Sequence, residues 1–279
     1  MSLNNFMISV IMPCFNRIDF LDQAINSILK QTYKHFEFII VDDCSNKETI
    51  ELLKRYRDSD NRIKLYYNKK NKGPTYTFNK GLFFAKNRFI ARMDSDDISH
   101  PQRLEKQINF LINNPNIFVV GTAFNIINNN NQVVNTIQLK VNRKEIIESL
   151  KYSNPLVNST FMANINVQKK KFLYLKKVFY PADDYYCWSN IIYNNLNLTN
   201  IPDILQNYRV HKSESVMNSR VQGLKTLMIQ KFFLLKKKSL NINIECYNSI
   251  NGIKSYFNKL PNCVKPSLIE ILYYEFNDT

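Results

Sequence analysis

The chain has 279 residues, 44% of them hydrophobic, with a formal net charge of +15 at pH 7. That length and apolar content allow one large domain, or a domain with an appendage, that folds without covalent staples. Five widely spaced cysteines (Cys14, Cys44, Cys187, Cys246, Cys263) are odd in number and include no CxxC pair, which argues against a disulfide framework and for a reducing, cytoplasmic setting.

No signal-peptide pattern and no uncharged apolar run of spanning length stands out. The positive charge asks for an anionic partner: nucleic acid, an anionic membrane surface or a phosphorylated substrate.

In chain order, ISVIMP (8–13) is an apolar, β-branched run closed by Pro13, the pattern of a buried strand. Phe20, Leu21, Ala24, Ile25, Ile28 and Leu29 then recur at helical spacing. The alternation continues with strand FEFIIV (36–41), a helix over about 47–57, strand RIKLYY (62–67), a helix over about 75–86 and strand RFIARM (88–93). Strands and helices taking turns predict an α/β domain with a parallel sheet, whose ligands sit beyond the carboxyl ends of the strands. A helix opening at Pro101, as an N1 proline, and running to Asn113 follows, then strand IFVVGTAF and a hairpin turning at Asn128–Asn131, so the second half is mixed.

Beyond about residue 215 the chain reads as helical and basic, with Leu224, Leu227, Met228, Phe232 and Leu235 forming a stripe edged by lysines. This segment either docks on the domain or lies on an anionic membrane surface.

Carboxylates gather at the predicted strand ends. Asp94, Asp96 and Asp97 fall within four positions. They could form a solvated turn that caps the next helix. Alternatively, two carboxylates pointing the same way from an extended D-x-D would suit a hard divalent ion, Mg²⁺ or Mn²⁺, that keeps positions open for phosphate. Asp42 and Asp43 end the second strand, either as turn chemistry or as an acceptor for a base imide or a ribose hydroxyl. Asp183 and Asp184 in PADDYYCW could simply complement a helix dipole. Five glycines include neither GxGxxG nor GxxxxGK, which excludes the dinucleotide-binding and P-loop signatures.

ISVIMPCFNR, FEFIIVDDCSNKET, NKGPTYTFNKGL, FIARMDSDD, HPQRLEKQINFL, PADDYYCW and NYRVHKSESV, in that order, resemble the successive motifs of the family 2 inverting glycosyltransferases with the GT-A fold. The likeness runs from residue 8 to about 216. It implies a Rossmann-like mixed sheet flanked by helices over 1–215, with a nucleotide-binding half to about residue 100, an acceptor half after it and a helical extension over 216–279. It implies a nucleotide-sugar donor, UDP-linked, and a saccharide or lipid-linked acceptor in bacterial surface glycan synthesis such as lipopolysaccharide or capsule.

The resemblance also implies roles. Pro13, Phe15 and Asn16 would border the nucleotide, Asp42 would take the base and Asp43 would support its loop. Asn71, Lys72 and Gly73 would lie near the nucleotide with Lys72 close to phosphate. Asp94 and Ser95 would face ribose or metal, Asp96 would ligate the metal, and Arg209 and His211 would sit near diphosphate or metal, although a lone histidine is also commonly structural. Inverting transfer needs one base to take the acceptor proton; by position this is Asp184, with Asp183 as support or as the base itself. The rival readings are a sugar-nucleotide nucleotidyltransferase, which would carry a glycine-rich basic signature where this chain has PCFNR, a transferase that binds donor without turnover, and a basic nucleic-acid-binding module, against which the acidic clusters speak.

Overall fold

The structure, a computed structural model, describes residues 6–150, 153–165, 173, 175, 180–211, 226 and 229. The predicted extension over 216–279 lies outside the described residues, apart from 226 and 229.

Four strands, β1 (Ile8–Cys14), β2 (Phe36–Asp42), β3 (Ile63–Tyr67) and β4 (Phe89–Arg92), alternate with helices α1 (Ile18–Leu29), α2 (Lys47–Ser59) and α3 (Pro74–Phe84). They pair in parallel in the order β3-β2-β1-β4. The chain therefore winds outward from β1 through β2 to β3 and returns to the other side of β1 for β4. That reversal opens a crevice beyond the carboxyl ends of β1 and β4, the usual ligand position in such sheets.

The second half extends the same sheet with mixed directions. Short β5 (Ile98–Ser99) leads into α4 (Arg103–Asn113), followed by β6 (Ile117–Ile127), β7 (Val133–Ile137), α5 (Arg143–Ser149), a 3₁₀ turn over Asn158–Thr160, β8 (Met162–Asn164), α6 (Asp183–Tyr193) and β9 (Asn197–Arg209). β8 runs antiparallel to both β4 and β6, β9 lies parallel to β6, and β5 closes the order against β9. This is the expected mixed sheet flanked by helices.

Two apolar layers hold it. On one face Val10, Met12, Phe38 and Ile40 pack with Leu21, Ile25 and Ile28 of α1, Leu53 of α2 and Leu104 and Ile108 of α4. On the other, Ile11, Ile39, Val41 and Ile90 meet Phe78 and Leu82 of α3 and Trp188 and Ile191 of α6. The residues between these alternate between faces, as the period of two requires. Gly81 of α3 allows the close approach: a Cβ there would collide with the Ile11 side chain.

Two local expectations are corrected. α4 starts at Arg103, so Pro101 is not its first residue; it lies in the preceding turn, where its carbonyl accepts from Thr32 N–H at 2.9 Å. The D-x-D segment is a turn rather than an extended stretch, with Asp97 N–H reaching Asp94 O at 3.4 Å. Its carboxylates take different partners, Arg92 for Asp94 and Arg17 with His211 for Asp96.

Candidate active site

A cavity of about 620 Å³ opens at the crevice, lined by Pro13–Arg17 from the end of β1, Asp43, the 71–75 loop, Arg92 and Asp94–Asp96, with Asp183, Asp184, Arg209 and His211 closing it. The first turns of α3 and α6 border it, and so does Arg17, the residue before α1. Helix N-termini carry unpaired N–H groups and a positive dipole end, so this placement favours an anionic ligand.

The loop between β3 and α3 is shaped by one carboxylate. Asp43 Oδ1 accepts from Lys72 N–H at 2.9 Å and from Asn68 Nδ2 at 2.7 Å, while Oδ2 accepts from Gly73 N–H at 2.8 Å. Asn71 Oδ1 takes a second bond from Gly73 N–H. Gly73 has φ +85°, a conformation that costs glycine little and other residues much. Asn16 also has a positive φ of 49°; its N–H donates to Ser45 Oγ and its Oδ1 accepts from Asn46 N–H, tying the β1 and β2 ends together.

Lys72 turns away from the cavity, its Nζ lying 5.6 Å from the centre of the Tyr76 ring. Asp42 is buried and stands behind the cavity wall; Oδ2 accepts from Ser45 N–H, and among the described residues Oδ1 has no partner. Burial and the neighbouring Asp42 push the Cys14 thiol up to about 12. It stays protonated and acts as a neutral wall rather than a nucleophile.

Two of the three clustered aspartates meet basic side chains within the chain. Asp94 Oδ1 accepts from Arg92 Nε at 2.8 Å. Asp96 Oδ2 meets Arg17 Nε at 3.3 Å and His211 Nε2 at 2.9 Å. Asp97 is fully buried, accepting from Arg209 N–H at 2.9 Å and from Gln206 Nε2 at 3.3 Å. Burial, with Asp94 and Asp96 beside it, holds the Asp97 carboxyl well above the ordinary carboxylate range. Asp97 is thus a pin for β9 rather than a ligand.

Arg209 is committed to scaffolding: Nε donates to Asp96 O, Nη1 to Asn128 O and Nη2 to Asn131 Oδ1, and the guanidinium lies 4.3 Å above the Phe20 ring. Arg17 and Arg92 are the arginines beside the carboxylates of this cavity that sequence reasoning passed over. Their only advance signal was position, one just after β1 and one two residues before Asp94.

Arg103 was likewise missed. Fully buried in α4, it donates to Gln107, Ser99, Gln206 and the carbonyls of Arg92 and Phe161. It braces the strand that carries Arg92 from below.

Asp183 and Asp184 occupy the first turn of α6. Asp183 is nearly buried and its Oδ2 accepts from Thr75 Oγ1 at 2.6 Å, joining the starts of α3 and α6. Asp184 is only partly buried; Oδ2 accepts from Asn154 Nδ2 at 2.7 Å and Oδ1 from Tyr185 N–H at 2.7 Å. Burial first, then Asp183, pushes Asp184 up to about 7, against the opposing pull of Tyr185 N–H, Arg92 and Asn154. A carboxylate tuned to near neutrality suits proton abstraction at physiological pH.

Among the described residues no group of three or more His, Cys, Asp or Glu side chains is placed to hold a metal ion. Asp96 and His211 touch and line the cavity together with Asp94, and carboxylate and imidazole are donor types that Mn²⁺ accepts.

The glycosyl transferase family 2 model matches residues 9–168, more than half of the chain. The chain belongs to glycosyltransferase family 2. Among this glycosyltransferase's relatives is the Escherichia coli O-antigen biosynthesis glycosyltransferase WbnJ, 32% identical over 245 residues, covering 86% of this chain and 93% of the relative. Another is the E. coli UDP-Glc:alpha-D-GlcNAc-diphosphoundecaprenol beta-1,3-glucosyltransferase WfgD, 33% identical over 227 residues, with 80% and 84% coverage.

The GT-A fold is shared with solved family structures. S. aureus TarS 1–349 in complex with UDP-GlcNAc superposes with a TM-score of 0.63 at 20% identity, over 92% of this chain and 82% of that one. A mannosyltransferase from Pyrobaculum calidifontis, in complex with GDP-Man and Mn²⁺, gives 0.61 at 15% identity, over 96% and 74%. Among the described residues, no helix of this enzyme is long and apolar enough to cross a membrane.

Proposed function

We propose that the enzyme transfers a sugar from a UDP-linked donor, with inversion, to a saccharide or lipid-linked acceptor in bacterial surface glycan synthesis. The reaction is set in the cytoplasm, at the inner membrane face where a lipid-linked acceptor would be extended. The observation that carries the reading is the meeting, in one cavity, of the touching Asp96–His211 pair with the Asp183–Asp184 pair. Relatives named for O-antigen synthesis and for glucosyl transfer to a diphosphoundecaprenol acceptor support the biological setting. A TarS complex with UDP-GlcNAc supports the donor class.

In this reading Asp42 Oδ1, a buried acceptor with no partner among the described residues, accepts the imide N–H of the base once the loop ending at Asn16 adjusts. Pro13, Phe15 and the Asp43-held loop of Asn71 and Gly73 border the nucleotide, while Asp94 and Ser95 face its ribose. Asp96 and His211 would hold a divalent ion that offsets charge gathering on the departing diphosphate. Arg17 and the helix N-termini add fixed positive potential to the same end of the cavity. Asp184 takes the acceptor hydroxyl's proton, and Asp183, tied to Thr75, orients it.

Release of nucleoside diphosphate from a panel of UDP-sugars, with Mn²⁺ and without, tests this. Transfer with UDP as product supports it, whereas release of pyrophosphate from a nucleoside triphosphate and a sugar phosphate would replace it with nucleotidyl transfer.

A further inference from the structure

We propose that the face formed by β3, α3 and the loop between them docks on an anionic phospholipid bilayer. This rests on the membrane-side setting of the proposed function but on none of its donor chemistry. From Asn61 to Met93 the chain carries nine lysines and arginines and no aspartate or glutamate. Arg62 and Arg92 are matched from just outside that stretch, by Asp60 at 2.7 Å and Asp94 at 2.8 Å. Among the described residues no ion pair reaches Lys64, Lys69, Lys70, Lys72, Lys80 or Lys86. Glu37 approaches the far end of this face, and its Oε1 is already taken by Ser9 Oγ and Asn87 Nδ2.

Apolar surface lies among these charges. α3 turns Phe78 and Leu82 into the core, yet its outer side leaves Phe83 69% and Tyr76 46% exposed. Phe83 sits edge-on to Phe84 at 5.3 Å, and Phe84 stacks on Tyr66 with ring centres 4.0 Å apart. Tyr66 and Lys64 project to the α3 side of the sheet, because they pair with Val41 and Ile39, which face that layer. β3 is the sheet's edge strand and α3 packs over β1 and β2, so among the described residues no helix is centred over β3 on the α3 side.

An aromatic strip ringed by uncompensated lysines is the chemistry of a bilayer interface: rings settle at headgroup depth and ammonium groups reach lipid phosphate. Single-stranded nucleic acid would instead favour a groove with stacked bases. Here the rings of Tyr76 and Phe83 stand on the outside of a helix and do not line the neighbouring cavity. The first turn of α3 lines that cavity while its outer side bears the strip, so docking would set the site at the bilayer surface, within reach of an acceptor anchored there.

The test is sedimentation of the full-length chain with phosphatidylglycerol-rich vesicles and with pure phosphatidylcholine vesicles. Binding is expected to the first only and to weaken with salt. Lys64→Glu, Lys70→Glu and Phe83→Ser together should lower it about tenfold or more without shifting the thermal midpoint; if that variant fails to fold, Lys64→Gln with Lys70→Gln should still weaken binding measurably.

Equal retention of wild type on both vesicles, or unchanged binding by the variants, overturns the proposal. So does a loss seen only when Lys236, Lys237 and Lys238 are changed to Glu, or tighter binding to single-stranded RNA that the same β3–α3 substitutions abolish. UDP release from a UDP-sugar in solution, measured in parallel, separates the claims. Turnover without vesicle binding removes the docking face alone, and vesicle binding without turnover removes the transferase reading alone.

Discussion

Asp184 ties the chemistry to a measurable number. With its carboxyl pushed up to about 7 by burial and Asp183, kcat/KM should climb with pH through neutrality and level off about one unit above. Asn154→Ala removes a hydrogen bond that favours the charged form, so the midpoint of that profile should move to higher pH. Asp184→Asn should lower turnover by on the order of 10²–10⁴-fold while UDP binding persists. The stability consequence has the opposite sign. A carboxyl raised on folding binds its proton more tightly in the native state, so it contributes instability that begins above its unfolded value near 4 and grows until about pH 7. Asp184→Asn should therefore melt higher than wild type at pH 8 and alike at pH 4. What made the pair noticeable beforehand was its place in PADDYYCW; which carboxylate is tuned depends on Asn154 and Thr75, 30 and 108 residues away, and no local pattern announces such partners.

Individual elements bear loads that their own sequences disguise. Gly121 in the middle of β6 looks like a weak point in an apolar strand, yet a Cβ there would strike Asn200 Oδ1 and the buried Leu156 side chain. Asn200 Nδ2 in turn donates to the carbonyls of Lys140 and Pro155, holding the segment from which Asn154 reaches Asp184. Gly121→Ala should cost about 1–3 kcal/mol by overpacking, read as a lower thermal midpoint. In α4, Arg103→Met should be worse, about 3 kcal/mol or more, because it takes a buried charged donor from the Arg92 carbonyl and removes one donor each from Phe161 O and Gln206 Oε1 in the interior. The long strands and the helices of the first half were plain from periodicity. β5 and β8, two and three residues long, were not, since so short a run has no period to detect.

At the scale of the whole molecule, a parallel half and a mixed half share one sheet, joined where β8 pairs with β4, and the cavity draws walls from both. A ligand that bridges them stabilises the folded chain as a unit. UDP with Mn²⁺ at a hundred times its Kd should add about 2.7 kcal/mol to stability by mass action. Asp96→Ala and His211→Ala should each erase the Mn²⁺-dependent part of the thermal shift, and a chelator should reproduce that loss in wild type. The parallel order of the first four strands follows from their alternation with helices, whereas the pairing of β6 with β9 joins residues some eighty positions apart and leaves no trace in either strand. One long-range link changes how the asparagine tract 128–131 should be regarded. A run of one repeated residue at a hairpin tip would ordinarily gain or lose a member without effect, but Arg209 grips Asn128 O and Asn131 Oδ1 while its Nε holds Asp96 O. Lengthening or shortening the tract by a single asparagine would break that grip, and an edit at the periphery of the hairpin would be felt at the acidic turn that lines the cavity.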